Sequence, residues 1–145
     1  MLHSDARQPT LNGLGRRVDA RRLALGDADG EVTLYEGTVW NRGESSIALP
    51  DQMPKEVTHL VRQARFDNEF ALSNETIIIK MDVEGYEFHA LAGMQQTLRR
   101  NACYVQVELF SDRLDELQQL FAGLGYRFVH TEYIDHFFTN MPKIG

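Results

Sequence analysis

A chain of 145 residues with 21 acidic and 15 basic side chains has the length of one domain, spanning 1–145, and enough residues to bury a core. Its 43% hydrophobic and 25% charged content is ordinary for a soluble globular protein. A net charge of −6 argues against a nucleic-acid partner, whose phosphates require clustered Lys and Arg, and no apolar run is long enough to span a bilayer.

Arg16, Arg17, Arg21 and Arg22 do cluster, but acids follow closely and the segment reads as solvated. The amino-terminal stretch MLHSDARQPT has no signal-peptide-like apolar core. The one cysteine, Cys103, has no internal partner and reads as a buried, inert thiol. A cytoplasmic, reducing setting is the expectation.

Leu11 to Gly15, LNGLG, has no preceding strand and no third glycine. It reads as a helix end or helix-to-strand link, with Gly13 or Gly15 at the C-cap, rather than as a phosphate loop. Val18 to Leu25 predicts a strand, Gly26 to Gly30 a turn and Glu31 to Glu36 an alternating strand, together a hairpin-like pair. Asp27, Asp29 and Gly30 echo part of a calcium loop, but the later ligands and flanking helices are missing, so a turn is the reading. Gly37 to Pro50 predicts a loop. Its Trp40, Ser45 and Ser46 either line a substrate pocket or belong to a surface connection with Trp40 tucked into the core. Pro54 to Phe66 reads equally as a helix, from the spacing of Val57, Leu60, Val61 and Ala64, or as a strand.

The stretch from Ile77 to Leu91, IIIKMDVEGYEFHAL, organises the rest. Its short β-branched run predicts a strand buried on both faces. Gly85 permits a sharp turn, and Phe88, Leu91, Ala92 and Leu98 then recur at helical spacing in one helix ending near Arg99 and Arg100. Asp82 and Glu84 stand at the strand's carboxyl end, where open α/β sheets place their ligands. Two acids crowded there repel each other unless something offsets the charge. Glu87 falls in the first helical turn and reads as a dipole partner.

Tyr104 to Phe110, YVQVELF, predicts the next strand, parallel to the first, with Glu108 near its carboxyl end beside Asp82 and Glu84. Ser111 is the expected N-cap of a helix whose buried stripe is Leu114, Leu117, Leu120, Phe121 and Leu124, ended by Gly125. Tyr126 to Tyr133 and His136 to Asn140 predict an antiparallel hairpin. His130, Glu132 and His136 are not fixed on one face by this pattern, and no metal site is expected. His59 and His89 read as structural.

KMDVEGYEFHALAGMQQTL followed by YVQVELF resembles the signature of FkbM-type methyltransferases, and LALGDADGEVTLYEG and GESSI extend the resemblance upstream. The resemblance implies a partial Rossmann-like methyltransferase fold, a mainly parallel α/β sheet with a C-terminal antiparallel hairpin. It implies S-adenosylmethionine as methyl donor and a hydroxyl on a small molecule or sugar as acceptor. Asp82 or Glu84 would be the general base, with Glu108 in support; a divalent ion bridging these acids is the weaker alternative. Asp27 matches the acid that reaches the adenine amino group in this fold, and the GESSI match favours Ser45 and Ser46 as pocket residues. In place of the family's Thr-Leu-Asp-Asp-like run, this chain has Asp67, Asn68, Glu69 and Phe70.

No Asp-x-Gly-Ala-Asn-like segment occurs, so the glycine-rich cofactor loop is missing and the expectation is a truncated domain. The strand at Ile77 to Asp82 would then present an apolar edge, capped by a second copy, covered by the N-terminal segment or left open to self-association. The rival functional reading is a non-catalytic module or subunit that docks through that edge.

Overall fold

The computed structural model describes residue 13 and residues 17–36, 45–46 and 58–142. Among them the strands form two four-stranded sheets. The first contains β1 (Ala24–Leu25), β2 (Gly30–Glu36), β3 (Ser45–Ser46) and β4 (Thr58–Ala64) in the order β1-β4-β2-β3. The second contains β5 (Thr76–Met81), β6 (Ala102–Glu108), β7 (Arg127–Glu132) and β8 (Asp135–Thr139) in the order β5-β6-β8-β7. Helices α1 (Phe66–Glu69), α2 (Glu87–Ala92), α3 (Gln95–Arg100) and α4 (Leu114–Gly123) complete the described elements.

The fold is mixed α/β, which corrects the expectation of a mainly parallel sheet. β5 and β6 run parallel, but β8 is antiparallel to both β6 and β7. In the first sheet β1 and β4 are parallel, while β2 is antiparallel to β4 and β3. The predicted C-terminal hairpin is present: β7 and β8 are joined at Tyr133–Ile134, with Tyr133 at φ 56. The last strand, β8, inserts between β6 and β7.

Several local expectations change. The predicted pairing of the Val18–Leu25 strand with β2 does not form. Of that segment only Ala24 and Leu25 pair as a strand, and β4 lies between β1 and β2. Pro54 to Phe66 resolves in favour of a strand over Thr58–Ala64. Part of the expected loop Gly37 to Pro50 is β3, paired with β2 at Tyr35↔Ser46 and Glu36↔Ser45. The helix foreseen through Arg100 is two helices broken at Gly93 and Met94.

The break has a tertiary cause. A Cβ on Gly93 would lie 1.9 Å from the Gly26 carbonyl oxygen, so the backbone of the β1–β2 turn passes directly over it. Asp67 of α1 then starts α3 anew: its carboxylate accepts from the Gln96 N–H at 2.9 Å, and from the Thr97 N–H and hydroxyl at 2.8 Å each. These satisfy helix N–H groups that have no intrahelical partner.

β5 is a strand but is not buried on both faces. Met81 is buried, whereas Ile78 is 82% exposed and Lys80 is exposed. The alternation in β6 explains this: Cys103, Val105 and Val107 face the core, and Tyr104 and Gln106 face the other way. The core collects on one side of the second sheet, where Leu91 and Leu98 meet Leu117, Phe121 and Phe138. Phe121 stacks on Phe138 with centroids 4.1 Å apart. Cys103 is buried within it, as foreseen, and burial pushes its thiol pKa up.

Of the stripe predicted for α4, Leu117, Phe121 and Leu124 are buried and Leu114 and Leu120 half-buried, and the helix ends in a Schellman motif. Gly125 at φ 85 donates to Ala122 O at 3.0 Å, and Tyr126 N–H donates to Phe121 O at 2.9 Å. Ser111 is not the cap; Arg113 holds that position, and its side chain makes no capping bond.

Candidate active site at the carboxyl ends of β5 and β6

β5 and β6 pair in parallel up to Met81↔Val107, so the residues that follow, Asp82 and Glu108, emerge side by side at one rim. Alternation places Asp82 on the face of Ile78 and Lys80, and Glu108 on that of Tyr104 and Gln106, away from the core. The Lys80 ammonium lies 3.6 Å from Asp82 Oδ2. Glu108 also faces Asp135 across β8, in register. The carboxyl pKa of Glu108 is raised, first by burial, then by the charges of Asp82 and Asp135 and a hydrogen bond with Asp82, with Lys80 opposing. Lys80 sets a positive charge against this crowding of acids.

Glu84 occupies the turn after β5. Its backbone is left-handed, at φ 51, and Gly85 follows at φ 93. A non-glycine residue in that region costs about 1–3 kcal/mol unless its surroundings hold it there. Here the Tyr86 N–H donates to Val83 O at 3.3 Å, and the Glu87 carboxylate accepts from the Gly85 N–H at 2.8 Å. Glu87 is 2% exposed and serves as the clasp of this turn, in keeping with its structural reading. Beside the turn lies a hollow of about 220 Å³ lined by Gly85, Glu87, Phe88, Leu109, Phe110, Ser111 and Arg113.

Asp27 is elsewhere, in the turn after β1. Its Oδ2 lies 3.1 Å from His89 Nδ1, and its carboxyl pKa is lowered chiefly by that hydrogen bond. The His89 ring stacks on Tyr86 at 4.3 Å. The Tyr86 hydroxyl donates to Gln63 Oε1 at 3.0 Å, and Gln63 Nε2 donates to Ala28 O at 2.9 Å. Arg65 completes the junction, donating to Asp27 O at 2.6 Å and to Ala92 O at 3.1 Å. His89, read from sequence as structural, ties the first sheet to α2. No spacing rule pointed to Gln63, Arg65 or Tyr86, which meet only across the two sheets.

Both Asp29 carboxylate oxygens are taken, one by the Arg65 N–H at 2.9 Å and the other by Asn68 at 2.7 Å, so this turn is held by protein donors. Ser45 and Ser46 form β3, far in sequence from the acidic rim, and Trp40 lies outside the described residues. His136 is buried beside the Thr131 hydroxyl at 2.8 Å, and its pKa is lowered by burial. His130 stacks on Phe137. Among the described residues no group of three or more His, Cys, Asp or Glu is arranged to hold a metal ion, and no helix is long and apolar enough to cross a membrane.

Nothing among curated proteins or solved structures matches this chain. A family match is clear, however: the methyltransferase FkbM domain aligns with residues 4–128, most of the chain and all of the acidic rim. The chain belongs to the FkbM methyltransferase family.

Proposed function

We propose that this protein acts in methyl transfer to a hydroxyl oxygen, with the Asp82–Glu108 pair taking the acceptor's proton. The donor in this family is S-adenosylmethionine, which supplies an electrophilic methyl group. The single observation that carries the reading is the pair of carboxylates on neighbouring parallel strand ends, with Glu108 raised by burial and by Asp82. A general base works best when its pKa approaches the operating pH, and a raised carboxyl moves in that direction. Lys80, 3.6 Å from Asp82, balances the negative charge of the pair. Glu84, on its left-handed turn, supplies a third acid at the same rim. The acceptor is a small molecule or sugar hydroxyl, and the setting is cytoplasmic.

The residues present do not make a complete cradle for the donor. One oxygen of Asp27 is engaged by His89, and no Asp-x-Gly-Ala-Asn-like segment occurs in the sequence. No step is therefore assigned to the donor's own contacts. This mismatch, with β5 at the edge of its sheet among the described residues, favours a second reading: a non-catalytic module of methyltransferase ancestry.

The test is transfer of labelled methyl from S-adenosylmethionine by the full chain, wild type against Asp82→Asn. Loss of transfer in the variant with unchanged melting supports the first reading. Equal turnover refutes the base assignment. Absence of both turnover and calorimetric S-adenosylmethionine binding in the wild type favours the module.

A further inference from the structure

Asp135, at the start of β8, lies beyond the residues that match the family, which end at 128, yet the sheet brings it to the acidic rim. Register places it directly opposite Glu108, and alternation puts both side chains on the face away from the core. Like charges set directly across two strands destabilise a sheet, so this pairing works against the fold. The sheet nevertheless fixes it: Gln106 Nε2 donates to Asp135 Oδ1 at 2.7 Å. Gln106 stands on the strand and face of Glu108, and its own register partner is Phe137. It reaches past that partner to hold Asp135, so Glu108 faces an aimed carboxylate.

The surroundings of Glu108 are asymmetric. On the β5 side stands Asp82, with the Lys80 ammonium 3.6 Å from its Oδ2. On the β8 side stands Asp135, held by the neutral amide of Gln106. Glu132 of β7 is the register partner of Asp135 and adds an acid one strand further out. A cation is thus set against the acid on one side of Glu108 and a neutral donor against the acid on the other. The carboxyl pKa of Glu108 is raised first by burial, then by the charge of Asp82 and next by that of Asp135.

Resting on the methyl-transfer reading, we propose that Asp135, aimed by Gln106, is a positioning residue of the reaction: from the neighbouring strand it keeps Glu108 receptive to the acceptor's proton. That proton leaves the acceptor hydroxyl for a carboxylate oxygen of the Asp82–Glu108 pair, and Asp135 acts only through Glu108. A base gains strength when a fixed negative charge stands beside it, because the added proton relieves the repulsion. Gln106 supplies the orientation, so the two residues work together.

The experiment titrates the glutamate carboxyls of the full, carbon-13-labelled chain by NMR, with the Glu108 signal identified by its loss in Glu108→Gln. Asp135→Asn keeps an oxygen for Gln106, removes the charge and relieves a repulsion, so it should fold and move the Glu108 midpoint to lower pH. Gln106→Met keeps the length of the side chain without the donor and should move the midpoint the same way by less. Glu132→Gln should also move it less than Asp135→Asn does. In labelled-methyl transfer, Asp135→Asn should shift the acid limb of the rate profile to lower pH and lower its plateau. A merely structural role would lower the rate and leave the limb in place. The titration needs no turnover: a wild type that transfers no methyl sinks the methyl-transfer reading, while the midpoints still decide whether Asp135 governs Glu108. The proposal is overturned if Asp135→Asn leaves the Glu108 midpoint where the wild type has it, or if it changes the transfer rate without moving the acid limb.

Discussion

Replacing Gly93 by alanine tests the junction on which the geometry depends. Gly93 sits at φ −80 and ψ −9, a conformation open to any residue, so backbone freedom does not explain the glycine. Space does: the added methyl would lie 1.9 Å from Gly26 O, 3.0 Å from Gly26 C and 3.3 Å from Arg65 Cα. Carbon–oxygen contacts normally stop near 3.3 Å, so α2 and the β1–β2 turn must part by roughly 1.4 Å. All three neighbours are backbone atoms, and no flexible side chain can yield. The separation strains the Asp67 N–H bond to Gly93 O at 3.0 Å, the Arg65 bond to Ala92 O and the Asp27–His89 contact. Overpacking of this kind costs about 1–3 kcal/mol or more, and the loaded junction places the cost near 3 kcal/mol. For a chain of this length that lowers Tm by about 6–12 °C. The control is Gly123→Ala in the last turn of α4, where nothing lies within 4 Å of the new methyl. That change should be neutral or stabilise by up to about 1 kcal/mol. Thermal and urea unfolding of both variants decide the matter. A Gly93→Ala protein that melts with the wild type would refute the tight approach of the two halves.

Asp67→Ala should destabilise by about 2 kcal/mol in urea unfolding, the upper range for a helix cap, because three donors of α3 lose their acceptor; Asp67→Asn should recover part of it. Glu108→Gln should be the more stable protein at neutral pH. The folded pKa of Glu108 is raised, so its contribution is fully present below the ordinary carboxylate range and is lost as pH rises through the folded value. The advantage of the variant should therefore shrink as pH falls, read from melting curves across acid to neutral pH; an advantage independent of pH would show that Glu108 is not pressed by its neighbours. Ile78→Glu, an exposed side chain on the strand at the edge of the sheet among the described residues, should leave Tm within about 1 °C and reduce self-association in light scattering at high concentration. Equal association by both proteins would remove the β5 edge as its cause.

The local grammar of the C-terminal half was legible because its signals are local. The β-branched run of β5, the Leu and Phe stripe of α4, the glycine at its end and the hairpin after it each follow from spacing and turn chemistry within a few residues. The acids at the end of β5 and β6 could be placed at one rim because a parallel pair fixes where its carboxyl ends lie. The family resemblance was strongest over the same stretch and extended upstream to LALGDADGEVTLYEG and GESSI.

What depended on distant partners could not be read in this way. Helical periodicity runs straight through Gly93, and only the approach of Gly26 shows why the helix breaks there. β4 separates β1 from β2 because its backbone pairs with both, a choice made by residues some thirty positions apart in sequence. The sequence by itself determined the strands of the second sheet, the stretch that turns helical after β5 and the acids at the ends of β5 and β6, since period and turn residues act over one or two turns of chain. The tertiary structure alone decided that Asp27 meets His89, that Asp67 caps α3 and that Arg113 covers Phe88, because those contacts are set by packing between elements and have no counterpart in local spacing.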